Sequence, residues 1–358
     1  MCSFPLAIPN AAEQYRRGVS SFTERDIPQA LAYFEAAEAL GADADQCAGD
    51  RWQCHMLLGQ FEAAWQESDR ITARRAEDPH ALWDGKPFAG KHVIIRCLHG
   101  YGDAIQFVRY ASRVRETAAS VTIETHPEMV GVLSLLRGGH RVISWEDEAP
   151  FWDQQIEVTE LPRAFRTTAA DVPSEIPYLF ISPDDRSRSR QYLPETGKPR
   201  IGLVWSASSF NPERSITLAH LSPLLDTDDY SFFSFQRGPA RAELTESPYR
   251  GKIHDTALHS PNIEDTAADL SNMDLLVTVD TMAAHLAGAL AVPVFTLLHF
   301  QSDWRWMLDR EDTPWYPTMR LFRQPAPGEW GDPIRTIVDS CRSVFRPAFT
   351  GSPAYKRS

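Results

Sequence analysis

Two glycines and an acid separate a predicted strand from a predicted helix near the middle of the first half of the chain. The stretch runs from Leu98 to Gln106 and contains Gly100, Gly102 and Asp103. Glycine lacks a Cβ, so the backbone here could approach a ligand closely. Asp103 is either the N-cap of the helix, since Asp is a preferred cap, or a general base at the carboxyl end of a strand. Gly102 and Asp103 are therefore candidate site residues.

A second stretch, at residues 274–289, combines a buried strand with the start of a helix of small residues. The strand ends at Asp280-Thr281. The N–H groups and positive dipole end of such a helix favour an anion. Thr281 can offer a hydroxyl to a phosphate oxygen, and Asp280 can fix a turn or a ribose. His285 shares a helix face with Thr281 and is either a structural hydrogen-bonding histidine or part of the site.

A third stretch, Trp205-Ser206-Ala207-Ser208-Ser209, follows the first strand of the second half and precedes Arg214-Ser215. Hydroxyls and one arginine suit a diphosphate. The alternative is a serine-rich turn with an exposed arginine.

A fourth stretch, at residues 302–324, is rich in tryptophan and arginine. Such side chains could stack on a base or hold an acceptor. Because buried aromatic rings mostly serve packing, the favoured interpretation is that they lock one domain onto the other. The sequence has no P-loop, no G-x-S-x-G and no H-E-x-x-H motif. Asp226-Thr227-Asp228 is interpreted as an exposed loop, so no metal site is predicted.

The elements that would position these side chains alternate between short apolar runs and amphipathic stretches. Strands are predicted at 92–97, 120–124, 141–143, 200–205, 231–236, 275–279 and 292–297, with helices at 104–117, at 128–136 and after Thr281. This alternation predicts an α/β fold with parallel sheets in two halves. Residues 182–199 are interpreted as a solvated linker between them. Ligands of such sheets bind beyond the carboxyl ends of the strands.

The first 80 residues have a different texture, rich in Ala, Glu, Gln and Arg, and are predicted to be helical. Ala30, Phe34 and Ala37 mark one apolar face, and Gly18 stands where two helices of a hairpin would meet. The pattern returns after about 34 residues, the period of tetratricopeptide repeats, and the segment resembles about two of them. An ordinary helical bundle is the alternative. Two repeats are too few for a free solenoid, so they should pack on the next domain.

The composition limits the class of protein. The 358 residues include 36 basic and 48 acidic side chains, a formal net charge of −12, and 43% are hydrophobic. This favours a folded chain and argues against binding nucleic acid or an anionic membrane through net charge. No apolar run is long enough to span a membrane, and the first ten residues do not resemble a secretory signal. Five widely spaced cysteines fit reduced thiols, so a cytoplasmic protein is expected.

Taken together, the motifs resemble those of glycosyltransferase family 9 (heptosyltransferase-like) domains, here following a tetratricopeptide-like segment. The resemblance covers roughly residues 83 to 330. It is carried by Gly102-Asp103 with Gln106-Phe107-Val108-Arg109-Tyr110, Trp205-Ser206 with Arg214-Ser215, Asp265-Thr266-Ala267-Ala268, Val279-Asp280-Thr281 with Ala284-His285-Leu286-Ala287-Gly288-Ala289-Leu290, Asp303-Trp304-Arg305-Trp306, and Pro314-Trp315-Tyr316-Pro317 with Arg320-Leu321-Phe322-Arg323-Gln324.

The resemblance implies a GT-B fold of two Rossmann-like domains and an inverting, metal-independent glycosyltransferase. The expected domains are a tetratricopeptide-like helical segment (1–80), an acceptor domain (81–190), a nucleotide-sugar domain (191–335) and a C-terminal helix or tail (336–358). No cofactor is expected beyond a nucleotide-diphosphate sugar as donor. The acceptor would be a protein, glycan or lipid-linked hydroxyl, and the helical segment could bind a protein acceptor or partner.

The resemblance also assigns roles to individual residues. Asp103 would be the catalytic base, with Gly102 and Gln106 on the acceptor side. The donor and its phosphates would be bound by Ser206, Arg214, Ser215, Gln236, Asp280, Thr281 and His285. Such families usually have glycine after the Asp-Thr, where this chain has Met282. That departure motivates the alternative, a non-catalytic interaction protein with a degenerate transferase domain.

Overall fold

The computed structural model describes residues 10–74 and 83–345. Cys2, the predicted break at Asp78-Pro79 and the tail after residue 345 lie outside the described residues. Helices precede two parallel sheets, which confirms the predicted α/β class. Within the described ranges, none of the helices is both long and apolar enough to cross a membrane.

The α-helices are α1 (Ala11–Thr23), α2 (Ile27–Ala39), α3 (Ala44–Leu57), α4 (Phe61–Arg74), α5 (Tyr101–Phe107), α6 (Ala111–Thr117), α7 (Val130–Leu133), α8 (Leu161–Ala164), α9 (Pro183–Arg190), α10 (Ser222–Leu225), α11 (Ala242–Glu246), α12 (Ile263–Leu270), α13 (Met282–Ala289) and α14 (Gly331–Val344). The strands are β1 (His92–Arg96), β2 (Ser120–Thr125), β3 (Arg141–Ser144), β4 (Gln154–Glu157), β5 (Arg200–Val204), β6 (Ser231–Ser234), β7 (Ile253–Asp255), β8 (Leu275–Val279), β9 (Val294–Leu298) and β10 (Met319–Arg323).

The N-terminal helices pair as α1 with α2 and α3 with α4. Asn10, Asp26 and Asp43 accept a backbone N–H at the starts of the first three, as side chains at N-caps do. Gly18 lets α1 approach α2, because a Cβ there would lie 2.6 Å from the Phe34 ring. The predicted hairpin contact is confirmed, while the repeat identity of the segment stays a prediction.

The first sheet has the order β3-β2-β1-β4, and the second has the order β10-β9-β8-β5-β6-β7. All their strand pairs are parallel. The sequence analysis missed β4, β7 and β10. Two of these, β4 and β7, are short edge strands with polar residues, and such strands carry a weak apolar signal.

Residues 183–190 are a helix, so the predicted solvated linker is wrong over that range. Ser182 caps α9, Pro183 occupies its first position, and acidic residues in the first turn are followed by basic residues in the last. These are the residue types that favour a helix start and end. Ser189 on α9 donates to Asp269 on α12 over 2.6 Å, which fixes α9 on the second half.

A single apolar cluster runs through both sheets and part of the N-terminal helices. It includes Ile95 of β1, Phe107 of α5, Leu276 of β8, Leu286 of α13 and Phe61 of α4, all buried. The halves therefore pack directly on each other. The predicted domain boundaries at 81–190 and 191–335 stay predictions.

Candidate active site

Asp103 lies in the first turn of α5, directly beyond the carboxyl end of β1. The helix begins at Tyr101 and Gly100 is its N-cap, so Asp103 is not the cap itself. Its Oδ2 accepts the Gly100 N–H over 3.1 Å. The carboxylate thus stabilises the helix start, and its second oxygen remains for another partner.

That partner is Arg305, which comes from the other half of the chain. Arg305 Nη2 donates to Asp103 Oδ1 over 2.6 Å, and Nη1 lies 3.5 Å from Asp303 Oδ2. Asp103 keeps 23% of its side chain exposed. Burial lowers the pKa of Arg305, but the charges of Asp303, Asp103 and Asp280 outweigh it and leave that pKa above its ordinary value. Arg305 is therefore a permanent cation shared among three carboxylates.

Gly102 is the point at which α5 and α13 touch. A Cβ at Gly102 would lie 2.9 Å from His285 Cδ2, tighter than real contacts allow. The sequence analysis expected Gly102 to admit a ligand. In the structure His285 fills that space, because the two helices cross here without room for a side chain.

His285 is buried between the two halves rather than open at the helix start. Its Nδ1 is 3.0 Å from the Tyr316 hydroxyl, and its ring stacks on Trp306 at 5.3 Å. Burial, with the nearby charges of Arg305, Arg109 and Arg214, holds its pKa well below the ordinary value. His285 is thus neutral at pH 7, and its contacts are those of a packing residue.

Asp280 ends the buried strand β8 and has an unusual environment. It is buried, and its Oδ2 has no hydrogen-bond partner within the described part of the chain. Burial and the charge of Asp303 raise its pKa, while Arg305 and Arg214 oppose the rise. A carboxyl oxygen without a partner in such a place is costly unless something binds it.

The N-terminus of α13 is open to a ligand. Thr281 holds the N-cap position without making a side-chain cap, and both Thr281 and Met282 are half-buried. The Thr281 hydroxyl lies 3.3 Å from the Thr278 hydroxyl. The predicted helix after Thr281 is confirmed, and a helix start without a side-chain cap attracts anions.

Arg214 stands beside this end on the short 3-10 turn Pro212–Arg214. Its guanidinium forms no ion pair or hydrogen bond with any residue that the structure describes, and its Nε is buried without a partner. Its charge acts on Asp280, His285 and His299, which places it among them. Arg214 is half-buried, and a cation in such a place without a partner among the described residues is suited to bind an anion.

Gln236 holds the loop after β5. Its Oε1 accepts the N–H groups of Trp205 and Ser206 over 3.0 and 2.9 Å, and its Nε2 donates to the carbonyls of Ser206 and Arg237. These bonds use both ends of the amide. Gln236 therefore fixes the loop, a different task from the direct donor contact that the sequence analysis assigned to it.

Ser206 and Ser215 hydrogen-bond within the same loop. Ser215 Oγ accepts the Ala207 N–H over 3.0 Å, and Ser206 Oγ lies 3.3 Å from it. The pair brings the turn that carries Arg214 back against the end of β5. Both serines thus position Arg214, and each hydroxyl keeps further bonding capacity.

Gln106 is fully buried, and neither amide atom has a partner within the described ranges. Its backbone carbonyl accepts Arg109 Nε over 2.7 Å. The resemblance implied that Gln106 lies on the acceptor side. The structure puts it under that turn, in the core.

Arg109 is a bridge between the halves that sequence reasoning did not assign. It donates to the Trp315 carbonyl over 2.5 Å and to the Tyr178 hydroxyl over 3.0 Å. Its guanidinium also lies 4.6 Å from the rings of Tyr178 and Tyr316. Arg109 is part of the motif Gln106-Phe107-Val108-Arg109-Tyr110, and this motif was the sequence signal that could have identified it. His299, buried after β9, has no partner for Nδ1 among the residues that the structure describes, and its sequence context carried no such signal.

The aromatic loop at 302–324 packs one half on the other, as predicted. Trp304 stacks on Phe107 of α5 with ring centroids 6.2 Å apart, and Trp315 meets the same ring edge-on at 5.6 Å. The loop thereby carries Arg305 to Asp103.

The N-terminal helices support the same loop, which confirms that they pack on the next domain. Trp52 meets Trp304 edge-on at 5.4 Å, and the Leu308 N–H donates to the Leu57 carbonyl over 3.0 Å. Trp65 donates to the Thr167 carbonyl over 2.7 Å on the first half. The helices thus contact both halves at once.

No metal-binding cluster is evident among the residues that the structure describes. In the two described ranges, no three His, Cys, Asp or Glu side chains converge as metal ligands would. Asp228 is exposed and pairs with Lys252 over 2.9 Å, so the expected surface loop is confirmed.

No family model matches the sequence. The chain is similar to the protein FlbA of Caulobacter vibrioides, with 23% identity over 348 residues. The match covers 88% of this chain and 56% of FlbA, so the chain spans little more than half of that protein.

Among solved structures, the chain is similar to the ADP-heptose lipopolysaccharide heptosyltransferase II of Escherichia coli. The TM-score is 0.50 at 13% identity, covering 70% of this chain and 99% of that one. A glycosyltransferase family 9 protein of Veillonella parvula matches with a TM-score of 0.49 at 12% identity, covering 74% of this chain and 92% of that one. The chain thus has the α/β, GT-B type of fold of the Escherichia coli heptosyltransferase.

Proposed function

We propose that the chain is a glycosyltransferase that moves a sugar from a nucleotide-diphosphate sugar to an acceptor hydroxyl. The observation that carries the proposal is Arg214, an unpaired guanidinium beside the uncapped start of α13. Both groups are donors, and both lie beyond the carboxyl ends of parallel strands, where α/β sheets bind ligands. The ligand that satisfies them is a diphosphate.

The proposed reaction is a single displacement. Asp103 takes the proton of the acceptor hydroxyl as that oxygen forms a bond to the anomeric carbon. The bond between this carbon and the phosphate oxygen breaks with inversion, and the nucleoside diphosphate leaves. Arg214 and the N–H groups at Thr281 stabilise the negative charge that develops on it.

Arg305 has a positioning role in this reaction. It holds Asp103 Oδ1 while Gly100 holds Oδ2, so the carboxylate is oriented before an acceptor arrives. An acceptor hydroxyl must share or displace one of these bonds to reach the base. The arrangement keeps the base in place between turnovers.

The similarity to heptosyltransferases of 13% identity supports the fold, and the sugar, the base and the acceptor are part of the proposal. A cytoplasmic location and a protein partner at the N-terminal helices remain predictions. The metal-independent mechanism is likewise a prediction.

A second candidate function is a non-catalytic interaction protein. It is favoured by the closed contact between the halves, where both oxygens of Asp103 are occupied and His285 fills the space at Gly102. Calorimetry with UDP, GDP, ADP, dTDP and CDP, followed by assays of the matching sugar donors for hydrolysis, separates the two. Binding with slow hydrolysis supports the transferase, and binding without turnover of any donor supports a nucleotide-sensing scaffold.

A further inference from the structure

Three rings stand in a row beyond the carboxyl ends of β1, β2 and β3. Tyr101 opens the helix after β1, His126 follows β2 directly, and Trp145 follows β3 directly. The ring centroids of Tyr101 and His126 are 5.3 Å apart, and those of His126 and Trp145 are 5.2 Å apart. The row follows the order of the strands, so the sheet itself sets its spacing.

Hydrogen bonds make this row rigid. The backbone N–H of Trp145 donates to the Thr125 carbonyl over 2.9 Å, which continues the pairing of β2 with β3. The Tyr101 hydroxyl lies 3.0 Å from His126 Nδ1 and donates to Glu128 over 2.9 Å. Burial and the bond to Glu128 raise the pKa of Tyr101 to about 12, so the phenol keeps its proton. The backbone at Trp145 and the side chains of Tyr101 and His126 are therefore held in place before any ligand arrives.

The row is accessible at Trp145, and its other end belongs to the helix that carries the proposed base. Trp145 is 43% exposed. Tyr101, at the other end, lies two residues before Asp103 on α5. The face of an aromatic ring carries partial negative charge and attracts polarised C–H groups, such as those on one face of a sugar ring. A row of this length beside a general base suits an extended ligand with a hydroxyl at its end.

The charges around the row select among such ligands. Glu128, Glu146, Asp147 and Glu148 are exposed, and none forms an ion pair with a residue that the structure describes. They would repel a phosphorylated or carboxylated acceptor. The same oxygens accept hydrogen bonds from uncharged hydroxyls.

We propose that Tyr101, His126 and Trp145 form the acceptor platform and that the acceptor is a neutral oligosaccharide. The proposal rests on the proposed transferase function and names the substrate class of its acceptor side. One sugar ring lies on Trp145, its hydroxyls bond to Glu128 and its neighbours, and the next ring presents a hydroxyl to Asp103.

The test is saturation-transfer NMR on the full chain. The neutral probes are maltotriose, chitotriose and mannotriose, and the charged probes are glucose 6-phosphate and sialyllactose. A serine- and threonine-rich peptide is a separate arm. Trp145→Ala is compared with Trp152→Ala, a matched control that removes another exposed tryptophan, one whose ring contacts the guanidinium of Arg96 and none of the three rings of the row.

We expect at least one neutral trisaccharide to receive saturation through its ring C–H protons. Trp145→Ala should weaken this binding about tenfold or more, and Trp152→Ala should leave it unchanged. The proposal is overturned if no neutral probe binds, if the charged probes or the peptide bind instead, or if Trp145→Ala has no effect. ADP binding, measured on the same samples, is independent of Trp145 and reports separately on the proposed function.

Discussion

Asp103 and Arg305 are 202 residues apart in the chain and form an ion pair of 2.6 Å across the two sheets. The pair joins the proposed base on α5 to the aromatic loop of the other half. The N-terminal helices hold that loop through Trp52 and Leu57. The N-terminal helices therefore support the loop that carries Arg305 to this carboxylate.

Replacing the base should stop transfer and spare binding. Asp103→Asn keeps an oxygen for the Gly100 N–H but cannot accept a proton, so we expect transfer to fall about 10²- to 10⁴-fold. Affinity for a nucleoside diphosphate should stay unchanged. Asp312→Asn, which alters an exposed pair with Arg310, is the matched control for the rate assay. Equal rates for Asp103→Asn and the wild type would exclude Asp103 as the base.

Removing the partner of the base should cost both activity and stability. Arg305→Gln frees Asp103 and leaves Asp303 and Asp280 without their shared cation. Because Asp103 is partly exposed, we expect a loss of about 1–3 kcal/mol in the free energy of unfolding, below that of a fully buried pair. We also expect a lower kcat with a nearly unchanged KM for the donor. Both are measured by denaturant titration and initial rates.

The control for this variant is Arg335→Gln. Arg335 pairs with Asp332 at the surface, where its side chain is 72% exposed, so its loss should change stability by less than about 1 kcal/mol. Similar losses for the two variants would contradict a special role of the Asp103–Arg305 pair.

The contact between α5 and α13 should tolerate no side chain at Gly102. Gly102→Ala places a Cβ 2.9 Å from the His285 ring, and we expect destabilisation of about 1–3 kcal/mol. Gly49→Ala in α3 is the matched control. A Cβ there has no atom within 4 Å, so that variant should be neutral or stabilised by up to about 1 kcal/mol. In denaturant titrations, Gly102→Ala should have a lower unfolding midpoint than Gly49→Ala. The opposite order would contradict this prediction.

Acid should weaken the same contact through His285. Its folded-state pKa lies well below 6.5, so the unfolded chain binds a proton that the folded chain does not. Stability is therefore fully present above about pH 6.5 and falls as the pH drops below it, by up to about 1.4 kcal/mol per pH unit. His285→Gln should reduce this slope between pH 6.5 and 5 in denaturant titrations. An unchanged slope would show that His285 is not the titrating group.

The sequence predicted the parts of the site that depend on local order. The strand before Gly100, the strand ending at Asp280 and the helix after Thr281 follow from apolar runs and small residues next to each other in the chain. The parallel sheets and the packing role of the aromatic loop were predicted for the same reason. The residues that indicate each of these features lie within about 20 positions of one another in the chain.

The contacts between side chains of the two halves could not be predicted from local sequence patterns. Nothing in the sequence joins Arg305 to Asp103, or His285 to Gly102, because these contacts depend on how two sheets pack. Gln236 shows the opposite problem. Its position after a strand indicated a ligand contact, but the backbone of the neighbouring loop takes all its hydrogen bonds. The row of Tyr101, His126 and Trp145 also appears only once the strand order is known.

We expect Arg214 and the start of α13 to bind the diphosphate of a nucleotide-sugar. Isothermal titration of the wild type and of Arg214→Ala with UDP, GDP, ADP, dTDP and CDP measures this binding. We predict that one of these binds the wild type and that the variant binds it at least about tenfold more weakly, since a charged hydrogen bond is lost. Binding of equal strength to Arg214→Ala, or no binding of any nucleotide to the wild type, would contradict the account.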